Sequence, residues 1–318
     1  MTWLTWRQHR AQLITTAGLL IALGVLLLVS GREAAAYIAE HAPAGCPGPD
    51  LACGDLNAAI AERYNAIYTV YGWLPIGAPA LIGAFWGAPL LGKEFERGTN
   101  KLAWTQAVPL RRWLGVKLAL LAVAVMLGGL ALSAMVSAWR PIFGDRGSFG
   151  NLGDFNMLGV APAAWWLFAF MVGTAAGAVL RRTLPAMAVV VAVVSVVTFG
   201  LFSLSDHYAE PTRLVTADAT ATYTGDVRLV GKAWVDPTGT EMGSPPQGAC
   251  PRGTDVGRAN ALQEAYERCL VDKGYRHVVY LHGPEQFWRF QWTDAAILFA
   301  GSLLLAGLTA RRTTRRRA

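Results

Sequence analysis

Charged residues are missing from six long stretches of this 318-residue chain. Five of the stretches exceed 20 residues, and a helix rising about 1.5 Å per residue needs roughly 20 to cross about 30 Å of hydrocarbon. The runs are too long and too continuously apolar for barrel strands, so the sequence predicts a helical membrane protein. The stretches without Asp, Glu, Lys or Arg are 11–31, 64–92, 118–139, 155–180, 183–205 and 295–310.

Charge is scarce overall and unevenly placed. Charged residues make up 15% of the chain and hydrophobic residues 53%, whereas about a quarter of a soluble protein is charged. If the N-terminus is cytoplasmic, the inner segments contain 15 Lys and Arg and two acids, and the longer outer segments contain 13 and 19. This positive-inside pattern predicts that both termini are cytoplasmic, and it accounts for the net charge of +7 without a nucleic-acid partner. The inner segments are 1–10, 93–117, 181–182 and 311–318.

Sites that would power or catalyse a reaction are also missing. The six charge-free stretches also contain no His, and a membrane core without an ionisable Asp, Glu, Lys, Arg or His argues against a proton- or sodium-coupled transporter. Residues 87–93 nearly match a phosphate-binding loop, but Glu94 stands where Ser or Thr must reach magnesium, and no strand precedes the loop. We therefore expect no ATPase site, no catalytic residue and no metal or other cofactor in this chain.

Only four cysteines are present, and all of them lie in predicted outer segments. Cys46 and Cys53 fall in the first outer segment, and Cys250 and Cys269 in the last. Disulfides persist on that side of a membrane. Three pairings are possible, of which 46–53 with 250–269 is the local one. A zinc site is the alternative, but neither pair has the CxxC spacing with accompanying histidine ligands that zinc sites use, so disulfides are favoured.

The second predicted span combines three prolines with five glycines, which predicts kinks and close helix approach. Gly83 and Gly87 form a GxxxG motif in this span, and Gly173 and Gly177 form another in the fourth span. Such motifs allow backbones to come close together. Packing within the chain is the favoured interpretation, and a dimer seam is the alternative.

The resulting prediction is an all-α polytopic protein with six transmembrane helices, both termini inside, and a small α+β extracytoplasmic domain before the sixth helix. A cleavable signal peptide is the alternative for the first helix, but the long apolar run, with Trp3 and Trp6 before it, favours retention. The predicted parts are an interfacial segment 1–11, spans 12–30, 72–92, 118–138, 157–180, 183–204 and 293–310, outer segments 31–71, 139–156 and 205–292, an inner loop 93–117, and a basic tail 311–318.

The inner loop 93–117 has the most specific content, KEFERGTNKLAWTQAVPLRRWLGVK. Glu94 and Glu96 are the only acids on the predicted inner side. Gly98 and Thr99 can interrupt and then cap a short helix, and Pro109 ends it. The loop is interpreted either as an ordinary positive-inside loop or as a short amphipathic element that transmits force from a cytoplasmic partner.

Residues 92–117 resemble the signature of ABC-2-type permeases, the membrane subunits of ATP-binding cassette exporters. In that family an acidic residue, Gly-Thr, a proline and a basic cluster precede the third span. TWRQHR at 5–10 and FWRFQW at 287–292 resemble a bacterial subgroup. The resemblance implies that the loop docks on a separate ATPase that carries the ATP and magnesium, with these residues at or near the interface: Glu94, Glu96, Arg97, Gly98, Thr99, Pro109, Arg111 and Arg112.

The function implied by the resemblance is that of a permease subunit of an ATP-driven exporter in the bacterial inner membrane. A cytoplasmic ATPase dimer and either a second copy or another permease are the expected partners. The charge-free spans favour an amphiphilic or apolar substrate. One alternative is a membrane sensor or immunity protein that binds a ligand through its outer domain. Another is a membrane enzyme that uses Asp206 and His207 of that domain.

Overall fold

Helices dominate the computed structural model, which describes residues 2–43, 45–46, 53–96, 110–143, 149–216, 226–246, 248–251 and 259–314. Six helical segments within these ranges are long and apolar enough to cross a membrane. This confirms the predicted multi-pass helical class. The six segments are Trp6–His41, Asn65–Glu96, Leu114–Phe143, Ala161–Leu180, Thr183–Ser205 and Pro284–Thr313.

The first helix, α1 (Thr2–His41), is much longer than predicted. Its 40 residues extend about 60 Å, roughly twice the thickness of the hydrocarbon. The predicted interfacial segment 1–11, the span 12–30 and the start of the outer segment therefore lie on one continuous helix, and the boundaries between them stay predictions. Charged residues such as Arg32 and Glu33 end the apolar run, but they leave the backbone hydrogen bonds intact, so the helix continues.

The second span is assembled from several helical pieces. Helix α2 (Gly54–Arg63) ends at Tyr64, and α3 (Asn65–Ile82) follows directly, so the helix begins before the predicted boundary at 72. A π-helical turn (Gly83–Gly87) then leads into α4 (Ala88–Glu96). The sequence predicts an interruption in this span, but a kink at a proline and not a π turn.

The remaining spans surround a central helix. They comprise α5 (Leu110–Trp139) with a 3₁₀ turn (Arg140–Phe143), the short α6 (Leu152–Met157), α7 (Ala161–Leu180), α8 (Thr183–Ser205) and α10 (Phe287–Thr314). Helix α7 is buried along nearly its whole length and contacts α3, α4, α5, α8 and α10. Helix α1 packs on the outside of this group, mainly against α5.

A four-stranded antiparallel sheet lies between the last two spans. Its strands are β1 (Thr212–Thr216), β2 (Arg228–Val235), β3 (Glu241–Met242) and β4 (Arg276–His282), in the order β1-β4-β2-β3. Helix α9 (Ala259–Asp272) precedes β4. One helix and four strands in this region agree with the α+β composition predicted for it.

The sheet is fastened to the end of α8 that precedes it and to the start of α10 that follows it. Arg228 of β2 is fully buried and forms an ion pair of 2.8 Å with Asp206. Tyr208 donates a hydrogen bond of 2.6 Å to Asp294 of α10, which is also buried. Asp294 lies at the edge of the predicted span 293–310, immediately before the charge-free stretch 295–310. The hydroxyl of Tyr208, in the adjoining loop, donates a hydrogen bond to this carboxylate. A count of charges does not reveal such a partner.

Candidate functional site

The predicted coupling acids lie at one end of the bundle, which we call the basic end. At this end α1 begins, α4 ends, α5 begins, the turn 181–182 joins α7 to α8, and α10 ends. Glu94 of α4 forms an ion pair of 2.8 Å with Lys117 of α5. The Lys117 side chain is only 4% exposed, whereas that of Glu94 is 25% exposed. The pair therefore joins the two helices that flank segment 97–109.

Glu96 caps a different helix. Its Oε1 accepts a hydrogen bond of 2.8 Å from the backbone N–H of Thr183, and its Oε2 accepts one of 3.1 Å from the Thr183 hydroxyl. Arg182, the N-cap residue of α8, has no side-chain capping bond of its own. A carboxylate at a helix N-terminus satisfies an amide without an intrahelical partner and interacts favourably with the helix dipole. Helix α4 thus supplies the missing cap of α8.

The turn between α7 and α8 is held by the same helix. Arg181 adopts a left-handed conformation with φ of 57°, which is uncommon for a residue other than glycine. Its guanidinium lies over the Phe95 ring, 5.5 Å from the centroid. Gly92 approaches Thr183 so closely that a Cβ on it would lie 3.0 Å from the Thr183 hydroxyl. The last turn of α4 and the first turn of α8 therefore form one packed junction.

The four glycines of the two GxxxG motifs meet at one helix crossing inside the chain. A Cβ on Gly83 or Gly87 would collide with backbone carbonyls of α7. A Cβ on Gly177 would lie 2.6 Å from the Ala88 carbonyl, and one on Gly173 would lie 2.7 Å from the Ala88 amide. The second span thus lies directly on α7, as the favoured interpretation of these motifs expects.

The π turn of the second span contacts α1 on its other side. Gln12 donates a hydrogen bond of 2.8 Å from Nε2 to the carbonyl of Phe85. The Trp86 indole donates one of 3.0 Å to the hydroxyl of Thr16. His9, one turn before, is buried and lies 2.5 Å from Gln12 through its Nδ1. The residues of α1 that meet the π turn are therefore polar, although the helix as a whole is apolar.

The other predicted interface residues are only partly described. Arg111 and Arg112 lie in the first turn of α5, and the Arg112 side chain is exposed. The structure thus gives Glu94 and Glu96 partners within the chain, and it leaves Arg112 facing outward. The remaining four, Arg97, Gly98, Thr99 and Pro109, lie outside the described residues.

The sheet end of the molecule has a different character. Both cysteine pairs form disulfides, Cys46–Cys53 and Cys250–Cys269. Within the described ranges no group of three His, Cys, Asp or Glu side chains is placed to hold a metal ion. Asp206, named in the enzyme alternative, forms an ion pair with Arg228.

An exposed charge cluster lies on the sheet itself. Glu241 accepts hydrogen bonds of 2.6 Å from both Arg213 and Tyr280. The bond from Tyr280, followed by that from Arg213, holds the pKa of Glu241 below its ordinary value. The same bond to Glu241 raises the pKa of the Tyr280 phenol. These contacts link β1, β3 and β4 across the sheet.

Sequence reasoning missed the partners that complete the junction. Lys117 was one of several loop cations, and nothing distinguished it before its burial was known. Thr183 follows two arginines at the start of a span and carries no signal of its own. Gln12 and Thr16 are polar residues in an apolar run, which was the one available signal.

The fold and this junction define a multi-pass membrane protein in which α4 is tied to both α5 and α8 at the basic end. A family comparison assigns it more closely. The model of the ABC-2 membrane transporter related family matches residues 17–204, more than half of the chain, and the chain belongs to this family. The predicted resemblance to ABC-2-type permeases is therefore confirmed, and it supports a permease role in ABC transport. Comparisons with curated proteins and with solved structures found no match.

Proposed function

We propose that the chain is the permease subunit of an ATP-driven exporter and that segment 97–109 receives the force from a separate ATPase. One observation carries the proposal. Both helices that flank this segment are tied into the bundle at the basic end, α4 to α8 through Glu96 and α4 to α5 through Glu94 and Lys117. A displacement of the segment would therefore act on the three spans that contain α4, α5 and α8.

The proposed mechanism begins with ATP and magnesium binding to a cytoplasmic ATPase dimer, which closes and displaces segment 97–109. Helix α4 transmits the displacement to the N-terminus of α8 through the Glu96 cap. The tight contact of the second span with α7 then carries it into the centre of the bundle. Movement of the central helix changes access to a pathway between this chain and a second permease copy or a related subunit.

The substrate class follows from the surface that the spans offer. The exposed side chains of α1, α8 and α10 are almost entirely apolar between their charged ends. An ionic solute would have to leave water without any compensating charge there. We therefore propose an amphiphilic or apolar substrate and export from a bacterial inner membrane, with both termini in the cytoplasm, as the positive-inside distribution supports.

Co-purification tests the ATPase partnership. The tagged chain is isolated in mild detergent from its host, and retained proteins are identified by mass spectrometry and assayed for ATP hydrolysis. We expect an ATPase to be retained, and we expect its hydrolysis in liposomes to become uncoupled from substrate movement in Glu96→Gln. Glu40→Gln is the matched control, because Glu40 is 78% exposed at the far end of α1. Absence of any retained ATPase contradicts the proposal.

The same experiment separates the proposal from the sensor or immunity alternative. That alternative predicts normal function without an ATPase and tolerance of changes at Glu94 and Glu96. The family match favours the permease instead. Ligand binding by the isolated outer domain would not decide between them, so the ATPase readout comes first.

A further inference from the structure

The π turn at Gly83–Gly87 sets the rotational position of everything that follows it in the second span. A π turn accommodates one residue more than the α-helical path does. Each residue of an α-helix turns by about 100° and rises about 1.5 Å. Conversion of this turn to regular α-helix would therefore rotate α4 by about 100° and advance it by about 1.5 Å.

Such a rotation would dismantle the junction at the basic end. Glu94 and Glu96 lie beyond the turn, and each reaches a fixed partner on another helix. In the present register Gly92 packs against Thr183, and a Cβ on Gly92 would lie 3.0 Å from the Thr183 hydroxyl. A rotation of α4 would break this contact. After conversion the preceding residue, Leu91, would occupy the place of Gly92. The contacts that α4 makes at the basic end therefore depend on whether the turn is π-helical or α-helical.

Helix α1 contributes the side chains that favour the π turn. Gln12 and Thr16 are four residues apart and so share one face of the helix. One donates to a backbone carbonyl within the turn, and the other accepts from the indole of Trp86. In lipid, a backbone group displaced from the regular ladder needs such a partner, because no water replaces it. On the opposite side, Gly87 lies against α7, so the turn is clamped between two helices.

We propose that Gln12 and Thr16 are positioning residues that select the π register of the second span and thereby place Glu94 and Glu96. The inference deepens the proposed function, on which its meaning for transport rests, since the segment so positioned is the proposed receiver of force. Loss of the two contacts returns the turn to α-helix and rotates α4 out of the junction.

Disulfide trapping of the full-length protein in liposomes tests the register directly. One pair of substitutions, Gly92→Cys with Thr183→Cys, reports the π register, and another, Leu91→Cys with Thr183→Cys, reports the α register. Peptides cross-linked after mild oxidation are quantified by mass spectrometry. We expect the first cross-link to dominate with Gln12 and Thr16 in place, and the second to replace it in the double variant Gln12→Leu, Thr16→Val.

Two further variants keep the result interpretable. Thr15→Val is the matched control, because Thr15 is an exposed neighbour on the same helix, and it should leave the first cross-link dominant. Deletion of Phe85, whose side chain is 55% exposed, removes the extra residue and should restore the original cross-link to the double variant.

Persistence of the 92–183 cross-link in the double variant overturns the inference. Loss of both cross-links that the Phe85 deletion does not reverse also overturns it, because the contacts would then serve folding alone. The trapping needs no ATPase, so its failure leaves the permease proposal untouched. Equally, failure of the co-purification would leave the register result standing.

Discussion

Removal of Glu94 should destabilise the protein far more than removal of its partner Lys117. At 2.8 Å the two charges attract by about 6 kcal/mol at an effective dielectric constant of about 20. Desolvation of two charges costs several kcal/mol per ion, so the net value of the pair is small. The side chains differ in exposure, 4% for Lys117 and 25% for Glu94. Each single change therefore leaves behind a charge with a different access to water.

In Glu94→Leu the buried ammonium loses its carboxylate, and we expect a loss of about 3–5 kcal/mol in the free energy of unfolding. In Lys117→Met the remaining carboxylate is partly hydrated, and about 2 kcal/mol is expected. The double variant, Glu94→Leu with Lys117→Met, removes both charges and leaves no charge without its partner. It should therefore recover most of the loss, with a coupling energy of at least about 2 kcal/mol in the mutant cycle.

Unfolding in mixtures of mild and denaturing detergent, followed by the fluorescence of the 12 tryptophans, measures these differences. The pair formed by Arg213 and Glu241 is the matched control, because both of its side chains are well exposed. Its coupling energy should stay below about 1 kcal/mol. Equal losses in the two single variants, or a double variant as unstable as Glu94→Leu, would refute the reasoning.

Three further outcomes are expected. Gly87→Ala should cost about 1–3 kcal/mol of unfolding free energy, because its Cβ would meet a carbonyl of α7. Gly200→Ala should cost nothing measurable in the same detergent titration, since no atom lies within 4 Å of its added Cβ. The lowered pKa of Glu241 stabilises the sheet above the ordinary carboxyl pKa, and this contribution is lost as the pH falls through the lowered value; Glu241→Gln should flatten that acid dependence of proteolysis. Replacement of Cys250 and Cys269 by serine opens a loop with a sequence separation of 19. Loss of this disulfide should lower the free energy of unfolding of the sheet region by about 3 kcal/mol. Proteolysis of residues 205–292 should become faster, and the helix bundle should be unaffected.

The spans could be predicted from the sequence because lipid imposes one simple requirement, an apolar run of sufficient length. Helix ends could not, because a helix ends where its backbone hydrogen bonds end, and α1 continues past Arg32 to His41. The π turn escaped prediction for a related reason. Its sequence, GAFWG, is as compatible with a regular α-helix, and the contacts from α1 and α7 that accompany it are tertiary.

The two acids of the candidate site could be predicted from the sequence, but their partners could not. Glu94 and Glu96 stand out as acids within a basic segment, so composition alone drew attention to them. Their partners did not stand out, because Lys117 and Thr183 are ordinary residues until the fold buries one and places the other at a helix start. Asp294 is a further case, since the charge count places it just outside the last apolar stretch and does not reveal its partner Tyr208.

The burial of α7 has a consequence for how the protein is made. The backbone amide of Ala161, the first residue of α7, donates a hydrogen bond to the side-chain oxygen of Gln291. The side-chain amide of Gln291 in turn donates to the carbonyl of Phe155. Gln291 belongs to α10, which is synthesised more than a hundred residues later. We therefore expect one side of α7 to stay unpacked during translation until α10 is inserted. We also expect the family region 17–204 not to fold stably on its own, so a chain truncated before α10 should be degraded.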